Sequence, residues 1–449
     1  MKTKFCSIIV YFILLIPVFH NVRAQNPIIR DQFTADPSAR VFGDSIFVYS
    51  SHDILATEDH GRIGWFCMED YHVFSSTNQV DWTDHGVIVS QDQVPWVKPT
   101  SYSMWAPDCI YRDRKYFFYF PSIARDTTYG RGFSIGVAIS EKPYGPFIPQ
   151  SEPIKDLHGI DPNPFIDKDG QAYLYWAMRK IFVAKLNDNM LELESEPQVI
   201  EGLPEKGLKE GPFLFERKGK YYLTYPHVEN KTERLEYALS YNPMGPFTVT
   251  GVIMDELPSG CWTNHQSIIE FGNQWYLFYH DSDLSPAFDK NRSIRIDSLF
   301  FNEDGTIRKV TPTLRGVGIT PATEKIEIDR FSLKSDTGVI VTFLDSLNAF
   351  DGWKTILKER NSWIQYNAVN FTDRKIKSVV IKALTEKDSK LVIRLDKMDG
   401  PVVSEVQVHA NESWTRINGK VLKFHPGIHN LIIILEDGGP VEIDWLRFE

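Results

Sequence analysis

Five polar side chains stand at matching points of a repeated phrase: Asp36, Asp108, Asp161, Glu210 and His265 each precede a short apolar stretch. A polar turn and an aromatic run follow each of them. Around Glu210 the phrase is Glu210-Gly211-Pro212-Phe213-Leu214-Phe215, a turn from Glu216 to Lys220, then Tyr221-Tyr222-Leu223-Thr224-Tyr225. If the copies bring their leading residues together, four carboxylates and an imidazole share one small space. Crowded like charges push at least one carboxyl pKa upward, which costs stability unless the site uses that proton. Taken singly, each Asp has a plainer role as a turn former ahead of proline. Five in register argue for a site.

The elements that must position these groups are β-hairpins, since an apolar run, a polar turn and an aromatic run read as two antiparallel strands. The other aromatic runs are Ile46 to Tyr49, Tyr116 to Phe120, Ala172 to Trp176 and Trp275 to Tyr279. They recur roughly every 50 to 70 residues, a propeller-like period. Turn phrases such as Tyr144-Gly145-Pro146-Phe147 and Met244-Gly245-Pro246-Phe247 close further strand pairs. The expectation is a five-bladed β-propeller over residues 25–320, each copy starting on the strand nearest the axis. Blades packed in a ring leave only short edges.

Residues 1–24 read as a secretory signal peptide: Lys2 and Lys4, an apolar core from Ile8 to Phe19, then Val22-Arg23-Ala24. The expected location is therefore periplasmic or extracellular. That apolar run is too short for a comfortable membrane span, and no other stretch offers one. About 425 residues remain, enough for two domains with sizeable cores. Cys67, Cys109 and Cys261 give no disulfide framework and no zinc spacing. A net charge of −10 disfavours nucleic acid and anionic membranes as partners and suits a neutral substrate. The protein is expected to be a monomer.

Aromatic residues make up 13% of the chain. Most belong to the repeats, but Trp65, Phe66, Trp96, Trp105 and Trp262 fall in loops ahead of strands. Sugar rings stack on such side chains, while a floor of carboxylates takes hydroxyls. Trp105 and Trp65 are expected to wall a pocket; loop tryptophans also pack blades together.

These phrases resemble glycoside hydrolase family 43. The match is carried by Asp36-Pro37-Ser38-Ala39-Arg40, Met104-Trp105-Ala106-Pro107-Asp108, Asp161-Pro162-Asn163-Pro164-Phe165, Glu210-Gly211-Pro212, Asn264-His265-Gln266-Ser267-Ile268 and Arg292-Ser293-Ile294-Arg295-Ile296-Asp297. No sialidase Asp-box, WD or kelch signature competes. The resemblance implies Asp36 as general base, Glu210 as general acid and Asp161 as the carboxylate that tunes and orients the acid. An inverting pair stands roughly 6.5–9.5 Å apart. An ionised Asp161 would keep Glu210 protonated, and a better solvated Asp36 would stay ionised. By the same resemblance Arg292 contacts the innermost sugar, Asp108 is a structural or substrate-contacting carboxylate, and His265 holds a calcium ion or an ordered water. No cofactor is expected to be required.

From residue 325 to 449 the strands become shorter and β-branched, as in Leu391-Val392-Ile393-Arg394-Leu395 and Leu431-Ile432-Ile433-Ile434-Leu435. This reads as a β-sandwich of jelly-roll type. Trp363-Ile364-Gln365-Tyr366 and Ile443-Asp444-Trp445 resemble carbohydrate-binding module family 6. The chain departs from that family at Glu442, where Asn is usual, and lacks a Tyr ahead of Trp363. Sugar binding and mere packing on the propeller both stay open, as does a structural calcium on Glu327 and Asp444. The implied activity is an inverting exo-hydrolase of plant polysaccharide side chains, an α-L-arabinofuranosidase ahead of a β-xylosidase. Exo-β-1,3-galactanase, an endo-arabinanase and a glycan-binding protein are the alternatives.

Overall fold

The repeated phrases fold as the first two strands of five antiparallel sheets in the computed structural model, which describes residues 25–372, 376–423 and 425–449. The expected signal peptide lies outside them. The first sheet holds β1 (Phe33–Phe42), β2 (Ser45–Asp53), β3 (Met68–Ser76) and β4 (Thr83–Ser90). The second holds β5 (Asp108–Arg112), β6 (Lys115–Ile123), β7 (Phe133–Ser140) and β8 (Ile148–Pro149). The third holds β9 (Ile160–Ile166), β10 (Ala172–Ala177), β11 (Ile181–Leu186) and β12 (Gln198–Val199). The fourth holds β13 (Phe213–Arg217), β14 (Lys220–Val228), β15 (Glu233–Ser240) and β16 (Thr248–Met254). The fifth has three strands, β17 (Ser267–Phe271), β18 (Gln274–Asp281) and β19 (Ser293–Leu299).

Each first strand touches those of its two neighbours, so β1, β5, β9, β13 and β17 close into a ring around an axis. The aromatic second strands hold the ring together. Side chains alternate between the two faces of a strand, and here both faces are buried. In β2, Tyr49 packs with Phe118 of the second blade, whereas Ile46 and Val48 pack with Phe278 of the fifth. Tyr119 with Leu174, Tyr175 with Leu223, and Tyr222 with Leu277 fill the remaining three seams. Full burial of one such side chain contributes about 1.5–3 kcal/mol.

The segment ahead of β1 seals the ring against β19. Ile28 N–H donates to Ile294 O at 2.9 Å, and Thr34 N–H to Arg292 O at 2.9 Å. The Asn26 amide accepts from Ile296 N–H and donates to its carbonyl.

Beyond the propeller, two six-stranded sheets face each other over one apolar core that includes Leu391, Ile393, Leu431, Ile433 and Ile443. Polar and aromatic contacts fix this sandwich to the propeller. Gln25 donates to the Tyr366 hydroxyl at 2.8 Å. Arg330 lies 3.8 Å over Trp353 and 3.6 Å from Asp283. Glu327 and Asp444, the suggested calcium ligands, face Lys325 and Lys382 at 2.6 and 2.7 Å. Among the described residues no helix is long and apolar enough to cross a membrane.

Candidate active site

The carboxylates reach the axis because their strands are interrupted there. Register slips in β1 between Ala35 and Ser38, and in β9 between Ile160 and Asn163. The interrupting residues Asp36 and Asp161 are left-handed, with φ of 51° and 57°, and a proline follows each. Gly211-Pro212 repeats the arrangement with φ of 50°. Such a conformation costs a non-glycine residue about 1–3 kcal/mol and is held only when its surroundings impose it. Here it turns the side chains out of the strand.

Pairing with the aromatic strands sets the equivalences. Ser38 faces Tyr49, Asp108 faces Tyr119, Asn163 faces Tyr175, Phe213 faces Thr224 and Ser267 faces Phe278. Two residues earlier stand Asp36, Ala106, Asp161, Gly211 and His265. Asp36, Ala106, Asp161 and His265 line a cavity of about 100 Å³ at one mouth of the channel, joined by Glu210 and Arg292.

Asp108 therefore belongs to the next layer and takes the structural one of its two expected roles, not the substrate-contacting one. Its oxygens accept from the Ser38 hydroxyl, from Arg40 Nε at 2.9 Å and from Asn163 Nδ2 at 2.6 Å. It ties three blades together below the cavity floor. In its blade proline precedes the aspartate, so the residue in register with Asp36 is Ala106.

Asp36 is buried, not solvated as the sequence reading held, and a cation keeps it charged. Arg292 Nη1 donates to it at 2.7 Å and the Ser51 hydroxyl at 2.9 Å. Burial works against its charge, but the Arg292 guanidinium above all holds its pKa below the ordinary value. Arg292 is itself gripped by Asp53, with Nε and Nη2 each donating at 2.9 Å. His280 takes the Asp36 N–H on Nδ1 at 3.1 Å, and burial drives its pKa down to about 3, so it is a neutral acceptor.

The other carboxyls of the cavity hold their protons more tightly than usual. Burial raises Glu210, and Asp36 adds to the rise. Burial also raises Asp161, to about 7, with Glu210 contributing. The rise of Glu210 thus comes from desolvation and from Asp36, in place of the expected charged Asp161. Asp161 Oδ2 accepts the Gly211 N–H at 2.8 Å and so anchors the peptide next to Glu210.

A fourth carboxyl, Glu233 at the head of β15, was not anticipated. It is 1% exposed, lines the cavity, interacts directly with Glu210 and is pushed well upward by burial. Its Oε2 accepts from Asn264 N–H at 2.6 Å. It starts a third strand within a charged run, Lys231-Thr232-Glu233-Arg234, which nothing in the repeated phrase marks.

Aromatic walls surround this floor. Trp65, Phe66, Trp105 and Trp262 line the cavity, with Trp65 38% exposed at its rim. Trp96 does not join them: it is buried, stacked on Phe120 and pressed against Gly136. Calcium takes six to eight oxygen ligands. His265 offers one nitrogen, and it belongs to no cluster of three His, Cys, Asp or Glu side chains among the described residues. The protein donors at His265 do not by themselves make a calcium cage.

Comparison with known proteins matches residues 24–307 to "Glycosyl hydrolases family 43" and residues 346–449 to "Carbohydrate binding module (family 6)". The chain is 36% identical over 332 residues to xylosidase/arabinosidase 43A of Humicola insolens, covering 63% of this chain and 98% of that protein. It superposes on the β-xylosidase/α-arabinofuranosidase CoXyl43 of a compost metagenome, solved with xylotriose, with a TM-score of 0.57 and 34% identity over 64% of this chain and 97% of that one. A Bacillus subtilis arabinoxylan arabinofuranohydrolase shares the fold across both domains, with a TM-score of 0.56 and 22% identity over 96% of this chain and 98% of that one. The chain is a glycosidase and belongs to glycosyl hydrolase family 43, with a family 6 carbohydrate binding module after its propeller.

Proposed function

We propose that this enzyme is an exo-acting hydrolase that removes a terminal pentose from xylan or arabinoxylan, in the first place an α-L-arabinofuranosyl group. The observation that carries the reading is a single aromatic-walled cavity holding a carboxylate kept charged, Asp36, together with carboxyls whose pKa values are raised, Glu210 and Asp161. Glu210 donates its proton to the glycosidic oxygen as the bond breaks. Asp36 takes a proton from the water that attacks the other face of the sugar, so the anomeric configuration inverts. Asp161 fixes the Gly211 peptide and through it the approach of Glu210. Arg292 keeps Asp36 ionised and borders the innermost subsite.

A second reading, β-xylosidase, is favoured by the names of the relatives, which pair xylosidase with arabinosidase. Incubation with 4-nitrophenyl α-L-arabinofuranoside and β-D-xylopyranoside separates the two. Turnover of neither, together with retention on insoluble arabinoxylan, would leave a glycan-binding protein instead. Proton NMR of the first product reads inversion, and the absence of oligomers from linear arabinan reads exo action. Loss of activity on chelation, restored by calcium, would place an ion beside His265 whose oxygens come largely from water. Secretion is part of the proposal and rests on the leader-like residues 1–24.

A further inference from the structure

We propose that His52, Asp70 and His72 bind a zinc-class divalent transition-metal ion on the first blade, outside the catalytic cavity. His52 lies on β2, and Asp70 and His72 lie two apart on β3, so both project from one face toward it. Asp70 Oδ1 is 2.9 Å from His52 Nδ1 and 3.9 Å from His72 Nε2. One ligand atom from each residue lies within 4.8 Å of the other two. A tetrahedral ion with bonds of about 2.0–2.1 Å sets its ligand atoms roughly 3.4 Å apart. The observed spacings straddle that value, so small side-chain rotations seat an ion.

An outer carboxylate supports the assignment. His72 Nδ1 lies 3.1 Å from both oxygens of Asp84. Asp84 is fixed in turn by the Gly86 N–H at 2.7 Å and the Gln32 amide at 2.9 Å. Imidazoles that bind metals characteristically give their second N–H to a carboxylate, which sets the tautomer and turns the free nitrogen to the ion. Here the free Nε2 faces Asp70 and His52. The side chains of His52, Asp70 and His72 are 23%, 12% and 12% exposed, leaving a path for entry and room for a water as fourth ligand. Two nitrogens and one oxygen select zinc, nickel, cobalt or copper over calcium. The ion would clamp β2 to β3 one residue from Asp53, which grips Arg292.

The test uses the full chain, stripped with chelator and dialysed, and titrated with zinc chloride by calorimetry alongside thermal denaturation. One equivalent should bind and raise the unfolding midpoint, and cobalt substituted at the site should show the visible absorption of a tetrahedral ion. His52→Ala and His72→Ala should each abolish binding, while His409→Ala, at an exposed His–Asp pair elsewhere, should leave it intact. Asp84→Asn keeps all three ligands and should weaken zinc 10- to 100-fold. It decides the matter should a histidine variant fail to fold. No binding by the unaltered protein, binding that survives both histidine variants, or unchanged affinity in Asp84→Asn would each overturn the proposal.

Discussion

Glu233 meets Glu210 directly inside the cavity, carboxyl to carboxyl, although the two come from different turns of the fourth blade. Two buried acids in contact cannot both ionise cheaply, so the pair favours keeping a proton between them. The hydrogen bond from Glu233 lowers the Glu210 pKa, while burial raises it. Glu233 is thus a positioning residue that trims the acid's strength. Glu233→Gln, which still donates, should leave the alkaline limb of the kcat/KM profile close to its place. Glu233→Leu, which cannot donate, should move that limb to higher pH. Identical limbs in both variants would assign Glu233 a packing role only.

Glu210→Gln should lower turnover of natural linkages by about 10²–10⁴-fold, the usual contribution of general acid catalysis. Aryl glycosides with good leaving groups should be spared, because their departure needs no proton. Asp36→Asn should abolish both, since water must be activated in either case. Full activity of Glu210→Gln on arabinoxylan would reject Glu210 as the acid.

The pH dependence follows from the directions of the shifts. Asp161 and Glu210 are raised, so the contribution of each to stability is full below the ordinary carboxylate range and is lost as pH rises through its shifted value, about 7 for Asp161. Asp36 is lowered, so its contribution is present above the ordinary value and disappears only in stronger acid. Activity should therefore hold through mildly acid pH and fall above neutrality. Unfolding midpoints measured from pH 4 to 8 should decline less steeply in Asp161→Asn than in the unaltered enzyme.

Arg292 answers two buried carboxylates, Asp36 and Asp53, with three fork nitrogens. Lysine cannot reproduce that geometry. Breaking a buried pair of this kind costs about 3–5 kcal/mol, so Arg292→Lys should show a markedly lower denaturant midpoint. Asp53→Asn should instead leave Asp36 paired while loosening the fork. Its signature is an acid limb of kcat/KM displaced as the Asp36 carboxylate changes company, a shift a purely structural aspartate would not cause.

The hairpins, the ring and the carboxylates at residues 36, 161 and 210 were legible because alternating aromatic strands and Asp-Pro or Gly-Pro pairs are local signals. Asp108 misled for a physical reason: in its blade proline comes before the aspartate, so no left-handed residue interrupts the strand and the side chain lands one layer deeper. Glu233 had no such flag, since only the path of β15 past Trp262 and Asn264 brings it inward. Trp96 looked like a loop aromatic, yet Gly136 opposite it leaves a slot that the indole fills. The Arg292 pairing that keeps Asp36 charged and the burial that raises Asp161 depend on neighbours far along the chain and cannot be read from spacing.

The run from Gln25 to Thr34 stitches the last blade to the first and also reaches the sandwich through Gln25 and Tyr366. Shortening the protein from this side would undo two seams at once, whereas trimming the surface loops would undo none. Heating should accordingly melt propeller and sandwich in one cooperative step, and a variant lacking residues 25–30 should split that step in two.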